Sequence, residues 1–459
     1  MARATAQARG GGTRMTTIET PDLPSAESFL GTAITRSGVE RQAPLKVPVS
    51  RYISPEFAAI EHAKVWPKAW IIACSVDHVS EPGDFFEFRL AGASVLIVRG
   101  QDGALRAFQN ACRHRGNMLC TGSGSDLSEL RCPYHRWTWD LAGRLREVPS
   151  RKGFGLLQND DYPLLSVQVD TWGPFVFVNL DMGAEPLTDY LEGVPADISW
   201  LDLTTFRCTF TTITPIKANW KVVSEGFSET YHIQGIHREL LGCLDDINSG
   251  QKVWTRHGVS YQPYGVPSPR LGRNVADQVV WDSFIVTQGG RMGPDHIAGE
   301  PLPERPDGVL VRDLIADRVR AHQATQGADL SDYTTEQILD LSQYNLFPNT
   351  TVLVSGDLCT VLSSRPGVTP DDSYLVAMHF SPRATNQVER IRPMDVDVPL
   401  EQANFGQVLN QDFGVLATMQ VGLHAPGLDH IVLSSEECRI ITSQRTLSRY
   451  CQVPDISSD

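Results

Sequence analysis

Asn110-Ala111-Cys112-Arg113-His114-Arg115-Gly116 and, after it, Cys132-Pro133-Tyr134-His135-Arg136-Trp137 are the stretches that decide the fold. The pattern is Cys-x-His followed by Cys-x-x-His, with seventeen residues between His114 and Cys132. Two thiolates and two imidazoles suit a tetrahedral zinc. They also suit a two-iron cluster in which the cysteines hold one iron and the histidines the other. A zinc finger usually draws its cysteines from one half and its histidines from the other. Each half here supplies one of each, which favours the cluster.

This segment resembles the Rieske motif of the aromatic-ring-hydroxylating oxygenase family, and the likeness continues through Trp172-Gly173-Pro174-Phe175-Val176-Phe177-Val178-Asn179. The resemblance implies a catalytic (alpha) subunit whose [2Fe-2S] cluster is held by Cys112, His114, Cys132 and His135. Respiratory-chain Rieske proteins carry an additional cysteine in each ligand loop, and Tyr134 stands where one of these would be. The oxygenase branch is therefore favoured, with Cys120 read as a buried thiol. Arg136 is a departure, because family members usually have Gly after the last histidine.

The second constellation is Asn219 to His237, which holds His232 and His237 five residues apart. On a regular helix that separation is roughly 140° of rotation, so a helix over Trp220 to His232 must end or distort between the two rings. Gly235 offers a break. Two satisfied structural histidines are the alternative. The stretch resembles the family's iron-binding segment, which implies that both bind a mononuclear Fe(II) completed by a carboxylate. In Glu401 to Val421, Phe405, Val408, Leu409, Leu416 and Met419 follow helical spacing, and Asp412 shares their face. A ferrous ion offsets the cost of burying that carboxylate. Its register with Gln420 and Gly422 also resembles the third-ligand helix, so Asp412 is preferred to Glu401 or Asp429, with a salt-bridged helix Asp as the alternative.

Glu229, three residues before His232, is expected to lie beside that ring and orient it. The alternative is a surface carboxylate paired with Lys221 or Arg238. The resemblance adds a bridge from Glu229 to a Rieske histidine of a neighbouring subunit, and so a ring-shaped trimer. Most members have Asp here. Glu occurs in some that oxidise amines or quaternary ammonium compounds, which weakens the reading of a simple arene dioxygenase.

Around these motifs the 459 residues suggest two domains. The expected division is a tail and lead-in over 1–50, a Rieske domain over 51–180 and a catalytic domain over 181–459. Short β segments at Trp70 to Ala73, Phe85 to Phe88, Ser94 to Val98 and Phe175 to Val178 indicate an antiparallel β domain. Strands at Thr209 to Thr214 and Ser373 to Phe380, mixed with helices, indicate an α+β domain with an antiparallel sheet. Gly265 to Glu304, rich in Pro, Gly and Arg, reads as a surface excursion or lid, with an inert insertion as the rival. Val309 to Val319 reads as a helix, and Thr334-Thr335-Glu336-Gln337 as a capping box. Trp254, Tyr261, Tyr264, Trp281, Phe284, Met292 and Phe347 are candidates for an apolar pocket or for ordinary core.

Forty basic against 54 acidic side chains give a net charge of -14, which opposes nucleic-acid binding and suggests a basic redox partner. No apolar run spans a bilayer, and no secretory core follows Met1 to Met15, so a disordered tail and a cytoplasmic protein are expected. The nine cysteines form no disulfide framework, so most are expected to be reduced and buried.

The function implied is a terminal oxygenase: dioxygen is the co-substrate, and NAD(P)H electrons arrive through a ferredoxin or flavin reductase. A small organic substrate, aromatic or cyclic, is hydroxylated, dihydroxylated or demethylated, as in aromatic compound catabolism. A homotrimer, with or without a small beta subunit, is expected. The rivals are a Rieske electron carrier without oxygenase chemistry and a zinc-binding interaction module.

Overall fold

The structure is a computed structural model that describes residues 44–272, 274–383 and 392–458. The expected tail at Met1 to Met15 lies outside the described residues. The first half of the chain builds an antiparallel seven-stranded sheet, in the order Ile71–Ser75, Phe175–Asn179, Ser166–Trp172, Leu105–Gln109, Ala93–Arg99, Phe85–Leu90, Ser123–Gly124. A three-stranded sheet, Leu130–Arg131, Thr138–Trp139 and Leu145–Glu147, stands beside it. The first cysteine–histidine loop leaves Leu105–Gln109 of the large sheet, and the second joins Leu130–Arg131 to Thr138–Trp139 of the small one, so each is anchored by β pairing.

The second half forms an eight-stranded sheet in the order Gly250–Val253, Gly258–Gln262, Leu341–Leu346, Thr350–Ser355, Leu358–Pro366, Ser373–Pro382, Phe206–Ile216, Met394–Asp397. Its pairs are antiparallel except the last, where Met394–Asp397 runs parallel to Phe206–Ile216. The Leu358–Pro366 strand is buried along most of its length, because helix Trp220–Gly226 packs against it. Helices Gln407–Leu423 and Cys438–Cys451 complete this α+β body.

The two halves are not separate globules. One continuous core joins Trp70, Ile72 and Phe175 of the small body to Tyr344, Val361 and Phe380 of the large one. Phe175 and Phe380 meet edge to face with ring centroids 5.3 Å apart. The lead-in also belongs physically with the second half. Leu45–Pro48 pairs with His430–Leu433, and the buried Arg51 bonds Gln444 and Ser448 of the last helix.

Several expected elements differ. Gly265 to Glu304 is not an open excursion, because it contains helix Asp277–Gln288 with Val280, Trp281, Phe284 and Ile285 buried. The helix expected at Val309 runs from Val311 to Thr325, and the capping box at Thr334 is present before Thr335–Leu339. All nine cysteines are free and seven are buried, but Cys120 and Cys438 are only partly covered.

Candidate metal centres

The two cluster loops share one backbone device. In the first, the Gly116 N–H donates to the Cys112 carbonyl at 2.9 Å; in the second, the Arg136 N–H donates to Cys132 at 3.0 Å. Each turn closes on a left-handed residue, Gly116 with φ +77° and Arg136 with φ +63°. The position where a Gly was expected does need that conformation, and the Arg adopts it at a steric cost.

This folding brings all four side chains together. The His114 and His135 rings lie 4.7 Å apart, and Trp137 stacks on His114 at 5.1 Å. Cys112 and Cys132 are buried side by side, and burial together with the neighbouring thiol raises the Cys112 pKa. Burial chiefly, with the nearby His135 and Arg115 acting in the same direction, lowers that of His114, favouring the neutral ring that a metal needs. The His114 Nδ1 is buried without a hydrogen-bond partner. An unpartnered ring nitrogen, a second imidazole beside it and a pair of buried thiols form the donor set that suits a [2Fe-2S] cluster held by two cysteines and two histidines, whose positive irons would favour the thiolates.

The second site forms where helix Trp220–Gly226 stops. The expected helix to His232 is not observed, and the break is not at Gly235. The chain leaves the helix at Phe227, and a single turn, Ile233–Ile236, then sets His232 at its start and His237 at its end. The two rings lie 5.1 Å apart. The Gln407–Leu423 helix brings in Asp412, whose Oδ1 is 2.9 Å from His237 Nε2 and 3.6 Å from His232 Nε2. Among the described residues, His232, His237 and Asp412 are the three metal-ligating side chains whose ligand atoms lie within 4.8 Å of one another. Glu401 sits in an exposed 3-10 turn and Asp429 in an exposed loop, and neither joins them. The helix starts later than expected, and Met419, placed on its apolar face by spacing, is 50% exposed; the buried stripe is Phe413, Leu416, Gln420 and Leu423.

Each imidazole has its outer nitrogen held. Glu229 Oε1 meets His232 Nδ1 at 2.5 Å, so the ring's Nε2 is left for a metal. Burial works against the imidazolium, but the hydrogen bond and charge of Glu229 outweigh it and raise the His232 pKa. The expected proximity of Glu229 is observed, although a turn rather than a helix delivers it. Lys221 is not its partner, because that ammonium is buried against Glu61 at 2.6 Å. His237 Nδ1 meets Gln411 Oε1 at 2.7 Å, and Glu239 in turn accepts from Gln411. Gln411 and Glu239 were not legible in the sequence, where the only signal is their adjacency to Asp412 and His237.

The expected pocket residues divide. Tyr264, Trp281, Phe284 and Met292 share a buried cluster with Ile233, next to His232. Trp254 and Tyr261 pack on the main core, and Phe347 lies under the last helix. Around the iron–sulfur loops the surface is basic: Arg115, Arg136, Arg151 and Lys152 are exposed beside Tyr134, Phe154 and Leu156. The sign is opposite to that of the whole chain.

Fold and sites together define a class, the catalytic subunits of Rieske-type non-haem iron oxygenases. The chain belongs to this family: residues 197–452 match the ring hydroxylating alpha subunit (catalytic domain), and residues 69–166 match the Rieske [2Fe-2S] domain.

The glycine betaine monooxygenase oxygenase subunit of Pseudomonas aeruginosa is 31% identical over 276 residues, 56% of this chain and 63% of that protein. The carnitine monooxygenase oxygenase subunit of Escherichia coli is 33% identical over 46% of this chain and 57% of its own. The chain thus spans somewhat over half the length of these relatives. A quaternary ammonium Rieske monooxygenase, CntA, solved with L-carnitine, shares the fold with a TM-score of 0.64 at 18% identity, over 90% of this chain and all of that one. Naphthalene 1,2-dioxygenase from Rhodococcus sp. does so with a TM-score of 0.59 at 19% identity, over 89% of each. Among the described residues no helix is long and apolar enough to cross a membrane.

Proposed function

We propose that the chain is a terminal oxygenase that oxidises a quaternary ammonium compound, with Cys112, His114, Cys132 and His135 holding the cluster and His232, His237 and Asp412 holding a mononuclear Fe(II). The observation that carries this is the convergence of two histidines and one buried carboxylate, in a chain that also has the cluster loops. When bound, the cluster supplies single electrons and the ferrous ion supplies the centre that activates dioxygen.

The chain's own residues arrange the rest. Glu229 and Gln411 fix both rings with their Nε2 atoms inward. Asp412 adds a single negative charge opposite them, leaving the other side of the triad for co-substrate and substrate. The relatives act on glycine betaine and carnitine, so aromatic compound catabolism is not supported.

The domain division at residues 51–180 and 181–459, the homotrimer with electrons crossing from His135 to Glu229 of a neighbouring chain, and a cytoplasmic location belong to the same reading. The donor, a ferredoxin or flavin reductase drawing on NAD(P)H, would present an acidic face to the basic rim. The test is purified protein with a surrogate reductase, offered glycine betaine, carnitine, choline and naphthalene in turn, with product mass and iron content measured. Oxygenated or demethylated product from an ammonium substrate is expected, with about three irons per chain. Two irons and no product from any substrate would leave the electron carrier.

A further inference from the structure

Arg439, at the start of the Cys438–Cys451 helix, is 2% exposed. Its guanidinium faces side-chain amide oxygens: Nε donates to Gln251 Oε1 at 3.1 Å, and Nη1 to Gln343 Oε1 at 3.2 Å and Asn345 Oδ1 at 2.5 Å. Nη2 is buried without a hydrogen-bond partner. Gln343 and Asn345 turn their other ends to one acceptor, the Phe227 carbonyl, at 2.9 and 2.8 Å. Phe227 is the residue on which helix Trp220–Gly226 ends, two before Glu229.

A guanidinium can only donate, so it dictates which end of each amide faces Phe227. Without it, Asn345 Oδ1 loses its donor and that amide can flip to set an oxygen against the Phe227 oxygen, whereas Gln343 Oε1 keeps a second donor, Gln262 Nε2 at 2.9 Å. Burial lowers the Arg439 pKa to about 10, with Cys438 and Glu229 acting in the opposite direction.

We propose that Arg439 is a positioning residue, which clamps the Phe227 carbonyl through Gln343 and Asn345 and so sets the turn that presents Glu229 to His232. This rests on the reading that Glu229 orients an iron ligand.

The test is a double-mutant cycle on the full chain with its cluster intact. The mononuclear iron is removed by a chelator, and ferrous ion is titrated back anaerobically by calorimetry. Arg439→Gln and Glu229→Ala are each expected to weaken binding about 10–100-fold. The combined variant should bind no more weakly than Glu229→Ala alone. Arg439→Lys, still a donor-only cation, should restore part of the affinity. If Arg439→Gln does not accumulate folded, Asn345→Leu, which cuts one arm of the clamp, takes its place in the cycle. Wild-type affinity in Arg439→Gln, or losses that multiply in the combined variant, overturn the clamp. Wild-type affinity in Glu229→Ala overturns instead the reading of Glu229 on which the clamp rests.

Discussion

Glu229 places both carboxylate oxygens on His232: Oε1 meets the ring Nδ1 at 2.5 Å, and Oε2 accepts the backbone N–H at 3.0 Å. One side chain thus fixes ring rotation and backbone together. Glu229→Gln keeps an acceptor for the ring but loses the charge, so both metals should stay bound while electron delivery slows, by about 10–100-fold. Stopped-flow oxidation of a pre-reduced cluster with substrate and dioxygen reads this directly. A wild-type rate would reduce Glu229 to a structural cap.

Asp412 is the carboxylate that meets both His232 and His237, and in the proposed site two imidazoles alone would hold Fe(II) poorly. Asp412→Ala should leave the cluster spectrum intact, lower iron from about three to about two per chain and abolish turnover. Retained activity would move the third ligand elsewhere.

Arg136 bears a left-handed φ of +63° in a loop where Gly116 serves the matching position at +77°. Arg136→Gly should relieve about 1 kcal/mol of backbone strain and raise the temperature at which the cluster bleaches. Cys112→Ser, which removes a ligand, should abolish the Rieske absorption altogether. An unaltered spectrum in that variant would refute the cluster assignment.

His257 is buried as a neutral ring, with Nε2–H donating to the Tyr190 carbonyl at 2.8 Å and Nδ1 accepting the Phe347 N–H at 3.0 Å. Burial chiefly lowers its pKa from 6.5 to about 3. The folded state therefore binds fewer protons than the unfolded one in this window. Its stabilising effect is present above pH 6.5 and is lost as pH falls towards 3, by about 2 kcal/mol at pH 5. His257→Gln, which cannot titrate, should lose less stability than the wild type between pH 7.5 and 5.0, measured as urea midpoints. Parallel losses in both proteins would show that other groups control the acid transition.

The two cysteine–histidine loops were legible as a candidate site because ligand types at fixed spacings carry their own chemistry, and the structure brings His114 to His135 and Cys112 to Cys132. The burial of Asp412 was legible because it shares a face with apolar residues, even though Met419, assigned to that face, points outward. The end of the helix before Glu229 was not legible. Gln343 and Asn345, which hold its terminal carbonyl, lie 116 and 118 residues along the chain. The helix at Asp277–Gln288 was obscured by the Pro, Gly and Arg around it, because local composition does not reveal that Trp281 and Phe284 find a tertiary core.

The edge-to-face meeting of Phe175 with Phe380, inside a core common to both halves, limits how freely this architecture can be recombined. A chimera joining the cluster half of one relative to the catalytic half of another at the connecting segment would cut through interdigitated side chains. Such exchanges will need matched sets of residues from both sides of the seam, and the two halves should diversify as one unit rather than as interchangeable cassettes.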